Sequence, residues 1–183
     1  MAAGGVAAVP PEVVGAQVTD TRWIPAYVAL GSNLDDPRAQ VERAFETLAA
    51  ARGSRLVARS SLYHSRPVGP VAQPDFVNAV AGMLTTLPAD EFLAELKSIE
   101  ERLGRARPVV RWGPRRIDLD LLVHGQSRVD EPGLTIPHPG IAERAFVLEP
   151  LAEIAPELEV PGVGRVAVLA TRVSAAGLAR IAA

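Results

Sequence analysis

The stretch IDLDLL, Ile117 to Leu122, constrains the fold more than any other part of the chain. Its apolar and acidic residues alternate with a period of two, so it can only be a strand whose Ile117, Leu119 and Leu121 enter a core while Asp118 and Asp120 face away from it. On one strand face those carboxylates are held roughly 7 Å apart at the backbone, close enough to repel. Immediately before them, GRARPVVRWGPRR carries Arg105, Arg107, Arg111, Arg115 and Arg116. A chain whose net charge is −2 has therefore segregated its signs here, into a basic loop and an acidic strand face.

The rest of the sequence supplies the partners this strand needs. IPAYVALG from Ile24 reads as a strand that ends in a Gly31-Ser32-Asn33 turn. Asp35-Asp36-Pro37 then opens a helix whose Val41, Ala44, Phe45 and Leu48 share one face, with Gly53 at its exit. Arg55 to Tyr63 is predicted as a second strand, RPVGPVAQP as a stiff loop, and Phe76 to Thr86 as a third strand. Pro88-Ala89-Asp90-Glu91 starts a second helix with Phe92, Leu96, Ile99 and Leu103 on one side, ended by Gly104. The fourth strand spans Arg116 to His124, and a Gly125-Gln126 turn reverses it into a short fifth near Arg128-Val129. The order β-α-β-β-α-β is that of an α+β, ferredoxin-like split βαβ sandwich with additional C-terminal elements. The expected organisation is a leader over 1–23, a domain over 24–161 and a tail over 162–183 that packs on it.

With 183 residues and an apolar fraction of 48%, one well-buried domain is expected. The absence of cysteine excludes a disulfide framework and thiolate metal ligands. His64, His124 and His138 are too scattered to suggest zinc, and no window is long and apolar enough to span a bilayer. The N-terminal stretch has no basic n-region, and Pro10 and Pro11 interrupt it, so a cytoplasmic protein is expected. Lys97 is the lone lysine, and the remaining basic side chains are guanidinium forks suited to phosphate and carboxylate.

Two carboxylates on one strand face suit Mg²⁺, which binds through few protein oxygens and completes its shell with water and substrate phosphate. The same pair is also read as a solvent-facing pair bridged to Arg115 or Arg116. The arginine loop favours the metal, because Mg²⁺ plus several guanidinium groups is the charge needed to hold a polyphosphate. Trp112 and Gly113 mark that loop as a flap over a ligand. Neither a Walker A sequence nor the protein-kinase signatures occur. A metal-dependent nucleotidyl- or glycosyltransferase remains as an alternative. An RNA-binding module is weaker, because only 4% of residues are aromatic.

ALGSNL (29–34), RPVGPVAQPDFVNAV (66–80), RWGPRRIDLDLL (111–122) and LTIPHPGIAERAFVLEPLAEIAPEL (134–158) together resemble the 6-hydroxymethyl-7,8-dihydropterin pyrophosphokinases of folate biosynthesis. The resemblance runs from about Ala26 to Pro161. It implies transfer of diphosphate from the co-substrate ATP to a pterin hydroxymethyl group, with two Mg²⁺ ions on Asp118 and Asp120 and catalytic roles for Arg105 and Arg115. It implies nucleotide contacts from Glu100, Arg107, Trp112, Arg115, His138 and Arg144. It also implies pterin contacts from Ser65, Val68, Phe76, Asn78 and Phe146, the phenylalanines stacking and the asparagine reading the ring edge. Phe76, Gly133 and Pro139 depart from the side chains of well-known members. A monomer acting on small molecules is expected, without nucleic acid or membrane and with other folate enzymes as candidate partners.

Overall fold

A computed structural model describes residues 22–67, 72–105 and 113–182. In chain order the elements are β1 (Ile24–Ser32), α1 (Pro37–Ala49), β2 (Ser54–Arg59), β3 (Tyr63–Ser65), β4 (Phe76–Thr85), α2 (Ala89–Arg102) and β5 (Asp118–His124). They are followed by β6 (Val129–Glu131), β7 (Leu134–Ile136), α3 (Ala145–Ile154), β8 (Glu159–Val160), β9 (Gly164–Arg165), α4 (Val166–Ala170) and β10 (Leu178–Arg180). The main sheet has the order β10-β3-β4-β1-β5, with β2 also paired to β4. Each pairing in it is antiparallel, so β4 separates β1 from β2 and β1 separates β4 from β5. That is the split βαβ arrangement expected from the element order.

Local chemistry sets the helix boundaries. Asp36 accepts the Ala39 N–H at 3.2 Å and Pro37 occupies the first turn, giving α1 a capped start. The buried face of α1 holds Val41, Ala44, Phe45 and Leu48, and that of α2 holds Phe92, Leu96 and Ile99, as their spacing predicts. The α2 helix has no side-chain cap, and Asp90 and Glu91 in its first turn favour its positive end instead. At the far end Gly104 has φ +85°, and a Cβ there would stand 2.7 Å from Arg116 Nη1, so the bare backbone lets the two ends of the arginine loop meet.

Two expectations need correction. The second strand is not continuous from Arg55 to Tyr63, because Ser60 breaks it: its Oγ accepts the Val80 N–H at 2.9 Å while its own N–H donates to the Val80 carbonyl at 3.0 Å. The side chain takes a place in the ladder that a backbone carbonyl would fill, and β2 and β3 pair with different halves of β4. The fifth strand does not fold back onto β5 either. Residues 129–131 form a separate hairpin with β7, turned at Pro132-Gly133, and the outer edge of β5 is met instead by Glu100, which accepts the Leu119 N–H, and by the His138 N–H, which donates to the Leu122 carbonyl at 2.9 Å.

One face of the sheet is closed by α1 and α2 around Phe45, Phe92, Leu96, Val28 and Leu30. The other is covered in part by α3, α4 and the C-terminal segment, with Leu148, Leu151, Val80 and Leu122 at its centre. Asp118 and Asp120 lie on this second face, beyond the N-terminus of α3.

Candidate active site

Asp118 is the hub of the charged cluster. Arg105 Nη1 donates to its Oδ1 at 2.6 Å and Arg115 Nη1 donates to its Oδ2, so the two ends of the arginine loop converge on one carboxylate. Arg105 also donates to Glu100 Oε1, and the same oxygen accepts the backbone N–H of Leu119 at 2.7 Å. Glu100 thereby ties α2 to the start of β5 and aims Arg105. Asp120, two residues on, keeps 40% of its side chain accessible and lies 3.9 Å from His138 Nε2. His138 Nδ1 accepts the Gly140 N–H at 3.0 Å, which leaves the neutral ring carrying its proton on Nε2, toward Asp120.

The loop arginines are positioned from a place that sequence reading takes for a simple turn. Asn33 is 2% exposed, and its Oδ1 accepts the Arg115 N–H at 2.8 Å. Its Nδ2 donates to Gln73 Oε1 at 2.9 Å and to the Pro74 carbonyl at 3.0 Å. Next to it, Ser32 Oγ donates to the Arg116 carbonyl at 2.6 Å. This corner staples the proline-rich loop to the arginine loop. Its one sequence signal is a pair of polar residues directly after a strand that runs into the core. Gly140 is a second unread position: a Cβ there would lie 2.6 Å from Arg144 Nε, so the glycine makes room for that side chain.

Two cavities meet at the acidic pair. The larger, about 550 Å³, is lined by Phe76, Asn78, Ser65, Arg144 and Phe146 together with Asp118 and Asp120. Asn78 is buried and donates from Nδ2 to Ser65 Oγ at 2.8 Å. The Arg115 and Arg144 guanidinium groups stand 6.0 Å and 5.9 Å from the ring centres of Phe76 and Phe146. The smaller cavity, about 350 Å³, runs beside β5 between Lys97, Glu100 and Arg105 on one side and Gly133, Thr135 and His138 on the other. Its floor contains the same Asp118 and Asp120.

Burial and crowding shift the titration of these groups. Asp120 is raised to about 6, first by burial and then by the neighbouring Asp118 charge, against the pull of Arg144, Arg115 and Arg105. Glu100 is raised to about 7 by burial, with the Leu119 N–H and Arg105 opposing. Burial works against the Arg105 charge, but Asp118 and Glu100 outweigh it and hold the guanidinium above its ordinary value. His138 is lowered, by burial and then by Arg144.

The structure therefore brings Arg105, Arg115, Asp118 and Asp120 into one cluster, with Glu100 and His138 on the smaller cavity and Ser65, Phe76, Asn78, Arg144 and Phe146 on the larger. Val68, Arg107 and Trp112, and with them the expected flap, lie outside the described residues. The reading of a bridged pair holds for Asp118, which is joined to Arg115, while among the described residues Asp120 has no ion-pair contact shorter than the 3.9 Å to His138. Among the described residues no group of three or more acidic or histidine side chains could hold a metal by itself. Two carboxylates on a cavity floor fit Mg²⁺ when substrate phosphates and water supply the other ligands.

Fold and site together have the form of a ferredoxin-like α+β transferase that handles a polyphosphate. The family profile for 7,8-dihydro-6-hydroxymethylpterin-pyrophosphokinase matches residues 27–156. The 2-amino-4-hydroxy-6-hydroxymethyldihydropteridine pyrophosphokinase of Pseudomonas aeruginosa is 49% identical over 135 residues, covering 74% of this chain and 83% of its own length. The enzyme of the same name from Haemophilus influenzae is 46% identical over 138 residues, with 75% and 86% covered. Among solved structures, wild-type Plasmodium falciparum HPPK-DHPS with pteroate superposes with a TM-score of 0.66 at 13% identity, over 82% of this chain. This chain spans 44% of that longer one, a likeness of fold alone. The chain belongs to the 7,8-dihydro-6-hydroxymethylpterin-pyrophosphokinase family.

Proposed function

We infer that the chain transfers the diphosphate of ATP to the hydroxymethyl group of 6-hydroxymethyl-7,8-dihydropterin, releasing AMP, in folate biosynthesis, the reaction of the family to which it belongs. The observation that carries the division of labour is the meeting of two cavities on one carboxylate pair. The larger takes the flat pterin between Phe76 and Phe146, with Asn78 at the ring edge. The smaller takes the nucleotide along β5, beside Glu100 and His138. The hydroxymethyl oxygen then reaches the β-phosphorus over Asp118 and Asp120, and the bond from that phosphorus to the α-phosphate oxygen breaks.

Negative charge moves toward AMP as that bond opens, and Arg105 and Arg115 are the donors nearest the acidic floor. Asp118 holds both in place before substrate arrives, and Asn33 fixes the backbone of the second. Two Mg²⁺ ions held by Asp118 and Asp120 would neutralise phosphate oxygens and lower the pKa of the attacking hydroxyl. Arg144 extends the positive wall toward the pterin, while Val68, Arg107 and Trp112 complete the two subsites in this reading. The catalytic domain is 24–161, with 162–182 packed on it, and the protein acts as a cytoplasmic monomer with other folate enzymes as candidate partners. No helix among the described residues is long and apolar enough to cross a membrane.

The test is to incubate the protein with ATP, Mg²⁺ and the reduced pterin and to separate the nucleotide products. Pterin-dependent AMP without free pyrophosphate is expected. ADP would make the site an ordinary kinase, and pyrophosphate release would point to nucleotidyl transfer.

A further inference from the structure

The family match ends at residue 156, yet the larger cavity is walled in part by residues well beyond it. Ser174, Ala176, Gly177 and Leu178 line it together with Phe76 and Phe146. Their placement is built by three independent contacts. β10 pairs antiparallel with β3, Leu178 against Ser65 and Arg180 against Tyr63, which makes the C-terminus the edge strand of the main sheet. Ile181 N–H donates to the Leu62 carbonyl at 2.8 Å just past that strand.

The third contact is Arg180 Nη2, which donates to Glu153 Oε1 at 3.2 Å. Glu153 on α3 also accepts the Ser61 N–H at 3.0 Å, Ser61 Oγ at 2.8 Å and Tyr63 Oη at 3.0 Å, so one carboxylate joins α3, the β3 edge and the C-terminal strand. Between α4 and β10 the chain makes a tight turn: Leu178 N–H donates to the Ala175 carbonyl at 3.0 Å and Gly177 sits at φ +81°. That turn brings small side chains to the cavity rim. Register carries the effect inward as well, because the residue opposite Leu178 is Ser65, whose Oγ holds Asn78.

We propose that residues 174–178, docked through β10 and the Glu153–Arg180 ion pair, are a positioning wall of the pterin cavity that sets affinity for the pterin and leaves the nucleotide untouched. This rests on the assignment of the larger cavity to pterin. The smaller cavity shares none of these residues, so the wall acts on one substrate only.

Two substitutions in the full chain test it. Ala176→Phe fills the cavity from the wall side, and Arg180→Ala loosens the docking at a side chain that is 64% exposed and so unimportant to the core. Each is expected to raise the KM for the pterin and its Kd, read by pterin fluorescence, about tenfold, with the KM for ATP within about twofold of the parent. Arg180→Lys, which keeps a cation for Glu153, restores the parental values; if Ala176→Phe does not fold, Ser174→Leu carries the same test. Unchanged pterin affinity in folded variants overturns the proposal, and so does an equal rise in both KM values, the mark of a merely structural role. Pterin-dependent AMP formation by the unmodified chain is scored separately. Turnover there with unaltered variants sinks the wall and spares the reaction, whereas no pterin-dependent AMP from ATP, Mg²⁺ and the reduced pterin sinks the reaction itself.

Discussion

Along β4, Val77, Ala79, Ala81 and Met83 enter the core beneath α1 and α2, whereas Phe76 and Asn78 look into the larger cavity from the opposite face. Along β5 the same alternation sends Leu119 and Leu121 inward and Asp118 and Asp120 outward. The helix face is apolar and closed, and its burial holds the sheet together. The cavity face gathers like charges, a buried amide and partly exposed rings, arrangements that weaken a fold unless other groups satisfy them. One set of strands thus does two jobs, and the closed face stabilises what the open face gives up.

The largest test of this division is chemical. Asp118→Ala and Asp120→Ala are each expected to lower kcat by more than about 1000-fold, while the far-ultraviolet circular dichroism stays that of the parent. Near-normal turnover in either variant would remove that aspartate from the site. The mirror experiment is Phe92→Ala on the closed face: urea unfolding is expected to show a loss of ~3–5 kcal/mol, with activity per folded molecule retained. A fall in specific activity there would mean that the faces are coupled.

Asn33→Ala sits between the two, since it frees the Arg115 backbone and the Gln73–Pro74 segment at once. It is expected to lower stability by ~1–3 kcal/mol and kcat as well, measured by urea titration and steady-state turnover. The smallest effect is a pH dependence. The fold raises Asp120 to about 6, so it disfavours the charged carboxylate, and the penalty develops as pH rises from the ordinary aspartate range through 6. Asp120→Asn lacks that penalty. Its melting temperature in the absence of substrate should match the parent's near pH 4 and exceed it at pH 8. A constant gap across that range would mean that Asp120 ionises as an ordinary aspartate.

Much of the fold is legible because it is written in local periods. The faces of α1 and α2, the cap at Asp36 and the alternation of β5 each depend on residues within a few positions of one another. The break at Ser60 is not local in this sense, since it is made by the Val80 N–H across the sheet. The α3 helix also escapes pattern reading. AFVLEPLAEI is apolar on most sides and carries Pro150 in its interior, which removes a helix hydrogen bond, and the segment is helical because it buries Val147, Leu148 and Leu151 on the sheet.

In the site, residue types that are chemically conspicuous are legible: arginines beside paired aspartates, and an asparagine among apolar strand residues. Asn33 and Glu100 show the limit. Each looks like an ordinary turn or helix residue in sequence, and each owes its part to a partner far along the chain, Arg115 for one and Leu119 for the other.

The amino-acid sequence alone determined that α1 and α2 form and which faces they bury, which side of β5 is apolar and that positive and paired negative charge lie next to each other, because all of these follow from near-neighbour spacing. Tertiary structure decided that Arg105 and Arg115 converge on Asp118, that two cavities share one acidic floor and that the C-terminal strand walls the larger of them. Those outcomes depend on strand order and register, which bring together residues as distant as Ser65 and Leu178 and which no local pattern encodes.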